Sequence, residues 1–483
     1  MTDAAIEPVP GLLEAEAIKA LFYRQQQHQP EVARSTARQR IAKLRRLHAA
    51  MLQHREAIKA AMYADFRKPP HEVDISETSC VNSEIRYAIR HLSGWLTPRH
   101  VGVRTPLLGS SASIRYEPKG VCLLMGPWNF PFNLNFIPLV AAVAAGNSVI
   151  IKPSEHAPHS AALIRQIISE CFPEEEVAVV EGEVEVAKQL LDLPFNHIFF
   201  TGSTAVGKLV MQAAAQHLAS VTLELGGKSP VVVDETADLD RAASRIAWIK
   251  CLNGGQTCIA PDYVLVQDSV HDAFIERLRY WLEKYYGKTA EARRQSPDLA
   301  RVIHQRQFQF VKSLLDDAVQ RGSRVAFGGF NAPEERYFEP TVLVDVPRDA
   351  QIWAHEIFGL LLPVRRYDQL EEAIAYINAG PKPLAFYIFS RRERQIDQFI
   401  GETRGGGVCV NECALQFFNP ELPFGGHNAS GIGKYHGESG FYEFSNARSI
   451  ARQHSPFPTT NVFLPPYGSR LMNLAMDWIT RWL

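Results

Sequence analysis

Between residues 113 and 410 the chain alternates short, near-continuous apolar runs with amphipathic segments, and this alternation restricts the fold more than any other feature. Gly120-Val121-Cys122-Leu123-Leu124-Met125, Ser148-Val149-Ile150-Ile151, Ala178-Val179-Val180 and Ile198-Phe199-Phe200 are the runs. Helical patterns over 134–145, 157–171 and 184–191 separate them. Strands that are apolar throughout are buried on both faces, and regular strand–helix alternation implies a parallel sheet. The alternation resumes after Pro230. Strands are predicted at 230–233, 263–267, 324–327, 341–345, 384–389 and 407–410, and helices at 239–251, 271–285, 301–320, 368–379 and 391–400. The chain thus reads as α/β, with two doubly wound parallel-sheet domains meeting near Leu225-Gly226-Gly227. In such sheets ligands bind beyond the carboxyl ends of the strands.

A length of 483 residues exceeds one ordinary core. Hydrophobic residues make up 46% and charged residues 21%, the balance of a soluble globular protein. The net charge of -1 supplies no basic field for nucleic acid. Seven cysteines (80, 122, 171, 251, 258, 409 and 413) form no CxxC and no regular spacing. That pattern argues for a reducing compartment, here the cytoplasm, and against a zinc site, so no metal is expected. Residues 1–10 lack the apolar stretch of a signal peptide. Ile41, Leu44, Leu47, Met51 and Ile58 recur at helical spacing, which predicts one long amphipathic helix over 30–67. A second helix is expected over 74–95. Residues 98–110 read as an excursion, a β-arm.

The chemistry gathers at three stretches. Asn253-Gly254-Gly255-Gln256-Thr257-Cys258 places a thiol on a tight loop between a helix and a strand. Thr222-Leu223-Glu224-Leu225-Gly226-Gly227 carries a carboxylate among apolar residues and glycines. Gly126-Pro127-Trp128-Asn129-Phe130-Pro131 holds an amide side chain in a stiffened turn. A cysteine nucleophile needs its thiolate, a base, and fixed donors for an oxyanion. Cys258, Glu224 and Asn129 supply those residue types, although spacing alone does not bring them together. Thr201 to Lys208 also fits the phosphate-loop template G-x-x-x-x-G-K, but Leu209 stands where Ser or Thr would hold magnesium.

In combination these stretches resemble the NAD(P)-dependent aldehyde dehydrogenases over roughly residues 30–450. Further matches are Lys152-Pro153-Ser154-Glu155, Glu356-Ile357-Phe358-Gly359 and Leu422-Pro423-Phe424-Gly425-Gly426. Cys258-Ile259-Ala260-Pro261-Asp262-Tyr263 and Tyr435-His436-Gly437 look like the class 3 branch, which includes fatty-aldehyde and coniferyl-type enzymes. The resemblance implies that Cys258 attacks an aldehyde, that Asn129 and the Cys258 backbone N–H hold the oxyanion, and that Glu224 activates the hydrolytic water. It implies a cofactor set of Lys152, Glu155, Gly202, Ser203, Gly207, Trp128, Glu356 and Phe358, with NAD as cofactor and NADP as the second choice. It also implies a homodimer and a four-part organisation: 1–98 with 119–224 for the dinucleotide, 225–427 for catalysis, 99–118 with 428–455 for a bridging arm, and 456–483 as an extension. Leu360, His355 and His427-Asn428-Ala429-Ser430 depart from the family pattern without removing a catalytic group. Two alternatives stay open: an ATP-using enzyme built on Gly202 to Lys208, and a catalytically silent structural relative.

The extension ends in a predicted amphipathic helix with Leu471, Leu474, Ala475, Trp478, Ile479 and Trp482 on one stripe. It is shorter than the ~20 apolar residues of a bilayer span. The expectation is a tail that docks on protein, its own or a partner's, and shapes the substrate entrance. Peripheral membrane contact through 469–483 is the alternative.

Overall fold

The computed structural model describes residues 15–103, 107–457, 459–467 and 469–482. A six-stranded sheet runs in the order Gly431–Ile432, Ser220–Leu225, His197–Gly202, Val121–Met125, Ser148–Lys152, Val177–Val179. All its pairs are parallel except that of the edge strand Gly431–Ile432. Helix Asn133–Ala145 is buried on every side, as a surface apolar apart from Asn133 and Asn135 requires.

A seven-stranded sheet runs Arg324–Phe327, Thr341–Val344, Leu361–Tyr367, Tyr263–Gln267, Pro230–Val233, Ala385–Phe389, Gly407–Val410. It is parallel apart from the edge strand Arg324–Phe327. Leu361–Tyr367 escapes a reading by apolar continuity because Pro363, Arg365 and Arg366 interrupt it. The proline is accommodated where the strand changes partners. Residues up to Pro363 pair with Thr341–Leu343, and those from Val364 pair with Val264–Gln267. A missing N–H costs least at that handover.

Three expectations need correction. The long helix over 30–67 is three helices, Ala15–Ala33, Ala37–Gln53 and Arg55–Phe66. Thr36 starts the second with a capping box: Gln39 N donates to its Oγ1, and its own N donates to Gln39 Oε1 at 2.8 Å. A cap satisfies orphan amides more directly than continuing the helix. The helix placed at 301–320 begins at Gln305, where the His304 ring accepts from Gln307 N at 3.0 Å. Residues 428–455 do not form one unit. Gly431–Ile432 joins the six-stranded sheet, helix Gly437–Glu443 follows, and Ser445–Gln453 pairs antiparallel with Ser110–Pro118. With Arg99–Val101, those last two strands make a separate three-stranded sheet.

The two large sheets face each other end-on. Loops leaving the carboxyl ends of Val121–Met125, His197–Gly202 and Ser220–Leu225 meet loops entering the amino ends of Tyr263–Gln267, Leu361–Tyr367 and Ala385–Phe389.

Candidate active site

Helix Leu239–Cys251 is followed by three residues in the left-handed region: Asn253 at φ 58, Gly254 at φ 65 and Gly255 at φ 74. Asn and Gly are the residues that visit that region at least cost. Gly255 has a second reason to lack a side chain, since a Cβ there would lie 2.4 Å from Gly359 O. The sharp reversal delivers Cys258 to the seam between the sheets. Gln256 pins the loop: its Nε2 donates to Asn253 O and Arg301 O, and its Oε1 accepts from Ile303 N at 2.9 Å.

Asn129 is tied to the same loop. Its Nδ2 donates to Gln256 O at 3.0 Å, and its own carbonyl accepts from Asn253 Nδ2 at 2.9 Å. One amide N–H is therefore committed and the other is free for a ligand. Glu224 comes from the strand Ser220–Leu225; it is 3% exposed, and neither carboxylate oxygen has a partner. An unpaired buried carboxylate is costly. Burial first, and then the charge of Glu443, hold the Glu224 carboxyl well above its ordinary range, while Lys434 works in the opposite sense. Lys434 Nζ donates to the carbonyls of Gly425 and Gly426. Burial also pushes the Cys258 thiol up. The charges of Glu356 and Glu224 add to that, and the N–H groups of Cys258 and Ile259 oppose it.

Cys258, Glu224 and Asn129 line one cavity of about 280 Å³, together with Trp128, Gly202, Ser203, Glu356 and Phe358. Eight of the eleven expected site residues thus meet. Lys152 and Glu155 lie outside this cavity, at and just after the carboxyl end of Ser148–Lys152, as an ion pair at 2.9 Å. Gly207 does not face the cleft. A Cβ there would meet Leu225 at 2.7 Å, so its smallness serves the packing of helix Thr204–Gln216 on the sheet. Ser203 caps that helix, accepting from Val206 N. Only Ser203 separates the strand ending at Gly202 from the helix starting at Thr204. No loop wraps an anion there, and Lys208 is exposed along the helix, so the geometry does not support the phosphate-loop alternative.

Glu356 packs against the Gly226 backbone and accepts from Gly227 N; burial and Asp262 push its carboxyl up to about 8. Phe358 holds a positive φ of 47 and meets Trp128 edge-on at 5.4 Å. Sequence reasoning missed what holds this loop. Lys228 Nζ donates to Asp262 and to the carbonyls of Ile352 and His355, both at 2.8 Å, while Asp262 Oδ1 accepts from Ile357 N at 2.8 Å. Lys228 stands next to Gly227 in a stretch already singled out. Its partners lie up to 127 positions away, so no local pattern flags them.

The aldehyde dehydrogenase family model matches residues 2–450. The chain belongs to the aldehyde dehydrogenase family. It is 41% identical over 427 residues to a 4,4'-diaponeurosporen-aldehyde dehydrogenase of Staphylococcus aureus, covering 88% of this chain and 92% of the relative. It is 43% identical over 410 residues to the dimeric NADP-preferring aldehyde dehydrogenase of Rattus norvegicus, covering 85% and 89%. A substrate-bound structure of Staphylococcus aureus AldH superposes with a TM-score of 0.91 at 39% identity, over 95% of this chain and 99% of that one. The protein is an NAD(P)-dependent oxidoreductase that acts on aldehydes. Neither the ATP-using nor the silent alternative is supported.

Of the seven cysteines only Cys258 is not buried. Iodoacetamide should therefore modify Cys258 first, read by mass spectrometry. Because the thiolate is the nucleophile and burial raises this thiol, the ligand-free rate should climb with pH and show no plateau below pH ~9. Earlier labelling of another cysteine, or a plateau near neutrality, contradicts the site as described.

Proposed function

We propose that the chain oxidises apolar aldehydes to carboxylic acids through a covalent intermediate on Cys258. The observation that carries the reading is the single cavity shared by an accessible thiol, an unpartnered buried carboxylate and an amide with one free N–H. The Cys258 thiol loses its proton to solvent and, as the thiolate, bonds the aldehyde carbon. The oxygen becomes an alkoxide held by the free Asn129 N–H and the Cys258 backbone N–H. Fixed donors of this kind cost no reorganisation when the charge develops. Bound NAD(P) supplies the hydride acceptor that turns this adduct into a thioester. Glu224 then takes a proton from water as it attacks the thioester, and Cys258 leaves as the thiolate.

The residues present fit the dinucleotide. Glu356 has its carboxylate on the cavity wall, Ser203 stands at an open helix N-terminus, and Lys152 with Glu155 extends the line along the sheet edge. On this reading Glu356 takes the nicotinamide ribose, Phe358 and Trp128 flank the nicotinamide, Gly202 and Ser203 adjoin the pyrophosphate, and Lys152 and Glu155 face the adenosine ribose. Gly207 acts through helix packing. On its other side Cys258 borders a small cavity of about 40 Å³ walled by Phe130, Leu134, Ile249, Leu252 and Phe417, which favours an apolar aldehyde. The Staphylococcus aureus relative is named for an aldehyde of diaponeurosporene.

The six-stranded sheet is proposed as the dinucleotide half and the seven-stranded sheet as the catalytic half. The three-stranded sheet is proposed as the arm of a homodimer. Among the described residues no helix is long and apolar enough to cross a membrane. Six buried free cysteines suit a reducing cytoplasm. The tail helix Arg470–Trp482 leaves Leu474 and Trp478, on one face, exposed at 64% and 53%, so its own body does not cover that face. A partner copy is the proposed cover; the rat relative is called dimeric.

Four measurements test these proposals. Cys258→Ala should abolish turnover while cofactor binding persists. Glu224→Gln should transfer hydride once, then lose roughly 10²–10⁴-fold in steady state as thioester accumulates on Cys258, visible by mass spectrometry. Loss of the single-turnover burst would move Glu224 to thiol activation alone.

Cofactor choice rests on Glu155, because a carboxylate near the ribose accepts from the 2′-OH and repels a 2′-phosphate. kcat/KM should favour NAD over NADP, and Glu155→Gln should narrow the ratio. A wild-type ratio favouring NADP overturns the assignment.

Deleting 469–483 should weaken the dimer in analytical ultracentrifugation. Co-sedimentation of the full chain, but not the truncated one, with anionic vesicles would replace the partner copy by a membrane surface.

A further inference from the structure

Beneath the two loops of the proposed site lies a buried ion pair that the reaction does not use. Lys68 and Glu77 have 0% side-chain exposure and meet at 3.2 Å. The Lys68 ammonium also sits 4.0 Å above the Phe130 ring. Glu77 belongs to a π-helical turn, Asp74–Thr78, between Pro70–Val73 and Ser79–Trp95. Such turns are rare and concentrate at functional sites.

From this turn two contacts reach the Asn129 loop. Glu77 Oε2 accepts from Asn133 N at 2.7 Å, and Ser76 O accepts from Asn133 Nδ2 at 2.7 Å. One turn earlier, Glu72 Oε2 accepts from Asn253 N at 2.9 Å on the Cys258 loop. The circuit closes through Asn253 Nδ2 on Asn129 O and Asn129 Nδ2 on Gln256 O. One helical segment therefore holds both loops, and both through backbone amides that have no strand or helix to pair with. A buried ion pair is weak evidence for stability, since apolar residues of similar volume often serve as well or better. What apolar residues cannot supply is an acceptor at Asn133 N.

We propose that Glu77, charge-balanced by Lys68 and assisted by Glu72, is a positioning residue that fixes the Asn129 amide relative to the Cys258 thiol. The proposal rests on the assignment of Asn129 to the oxyanion and deepens it. Misplacing a reacting group by about 1 Å can cost ~10²-fold, so the device acts on rate rather than on substrate binding.

The test is the paired variant Lys68→Met/Glu77→Leu, which removes both charges together and keeps the volume. Single-turnover hydride transfer from a short alkanal should fall ~10²-fold. KM for NAD and the alkylation rate of Cys258 should stay within about twofold, which a general loss of structure would not permit. Adding Asn129→Ala to the pair should cost less than about threefold more, because two changes that disable one unit do not multiply. Asn133→Ala, which deletes only the link to Ser76, is the milder variant and should slow the same step several-fold. Unaltered hydride transfer in the paired variant overturns the proposal, as does full multiplication with Asn129→Ala. Should the paired variant not fold, unaltered transfer in Asn133→Ala does the same. Undiminished transfer in Asn129→Ala alone overturns the oxyanion assignment and this proposal with it, whereas a fall there with none in the brace variants overturns the brace only.

Discussion

Excluding water from the seam between two sheets is the constraint on which the site depends. A half-buried thiol and a buried carboxyl share one cavity, and loss of solvent pushes both toward their neutral forms. Neither group is reactive as it would be in water. The site meets that penalty with fixed dipoles rather than with a nearby unpaired cation. Two backbone N–H groups face the sulfur, an amide N–H remains free on Asn129, and Lys434 spends its own donors on the carbonyls of Gly425 and Gly426. The proposed chemistry therefore depends on geometry held to a fraction of an ångström, since fixed dipoles lose their effect when they turn.

That geometry comes from backbone pins of long sequence separation. Gln256 ties the Cys258 loop to Arg301 and Ile303. Lys228 and Asp262 tie it to the stretch that carries Glu356 and Phe358, and Asn253 ties it to the Asn129 loop. Gly255 presses on Gly359, and Gly226 leaves room for Glu356. The three loops behave as one packed object. A substitution in any of them is felt by the others even where it touches no ligand.

Local pattern and tertiary contact contributed differently. Apolar runs and helical spacing located most strands within a residue or two, because a sheet covered on both faces leaves no polar alternative in its strands. The interrupted strand Leu361–Tyr367 was illegible for the same reason: its proline and arginines are tolerated only because it changes partners at Pro363. The single long helix over 30–67 failed because periodicity continues through two breaks, one at the capping Thr36 and one at His54. Gly207 was legible as necessary but not as to why, since a close helix–sheet contact and a ligand contact ask for the same residue.

The sequence by itself determined the α/β architecture, the family, and the residue types of the nucleophile, base and oxyanion donor. Those follow from side-chain chemistry and from short motifs that are local in the chain. Only the tertiary structure decided that Cys258, Glu224 and Asn129 share one cavity, that Lys228, Asp262, Lys68 and Glu77 stand behind them, and that the tail leaves an apolar face open. The physical reason is distance along the chain. The contacts that tie the loops of the site together join positions from 34 to 181 residues apart, and no periodicity or spacing rule carries information across such a gap.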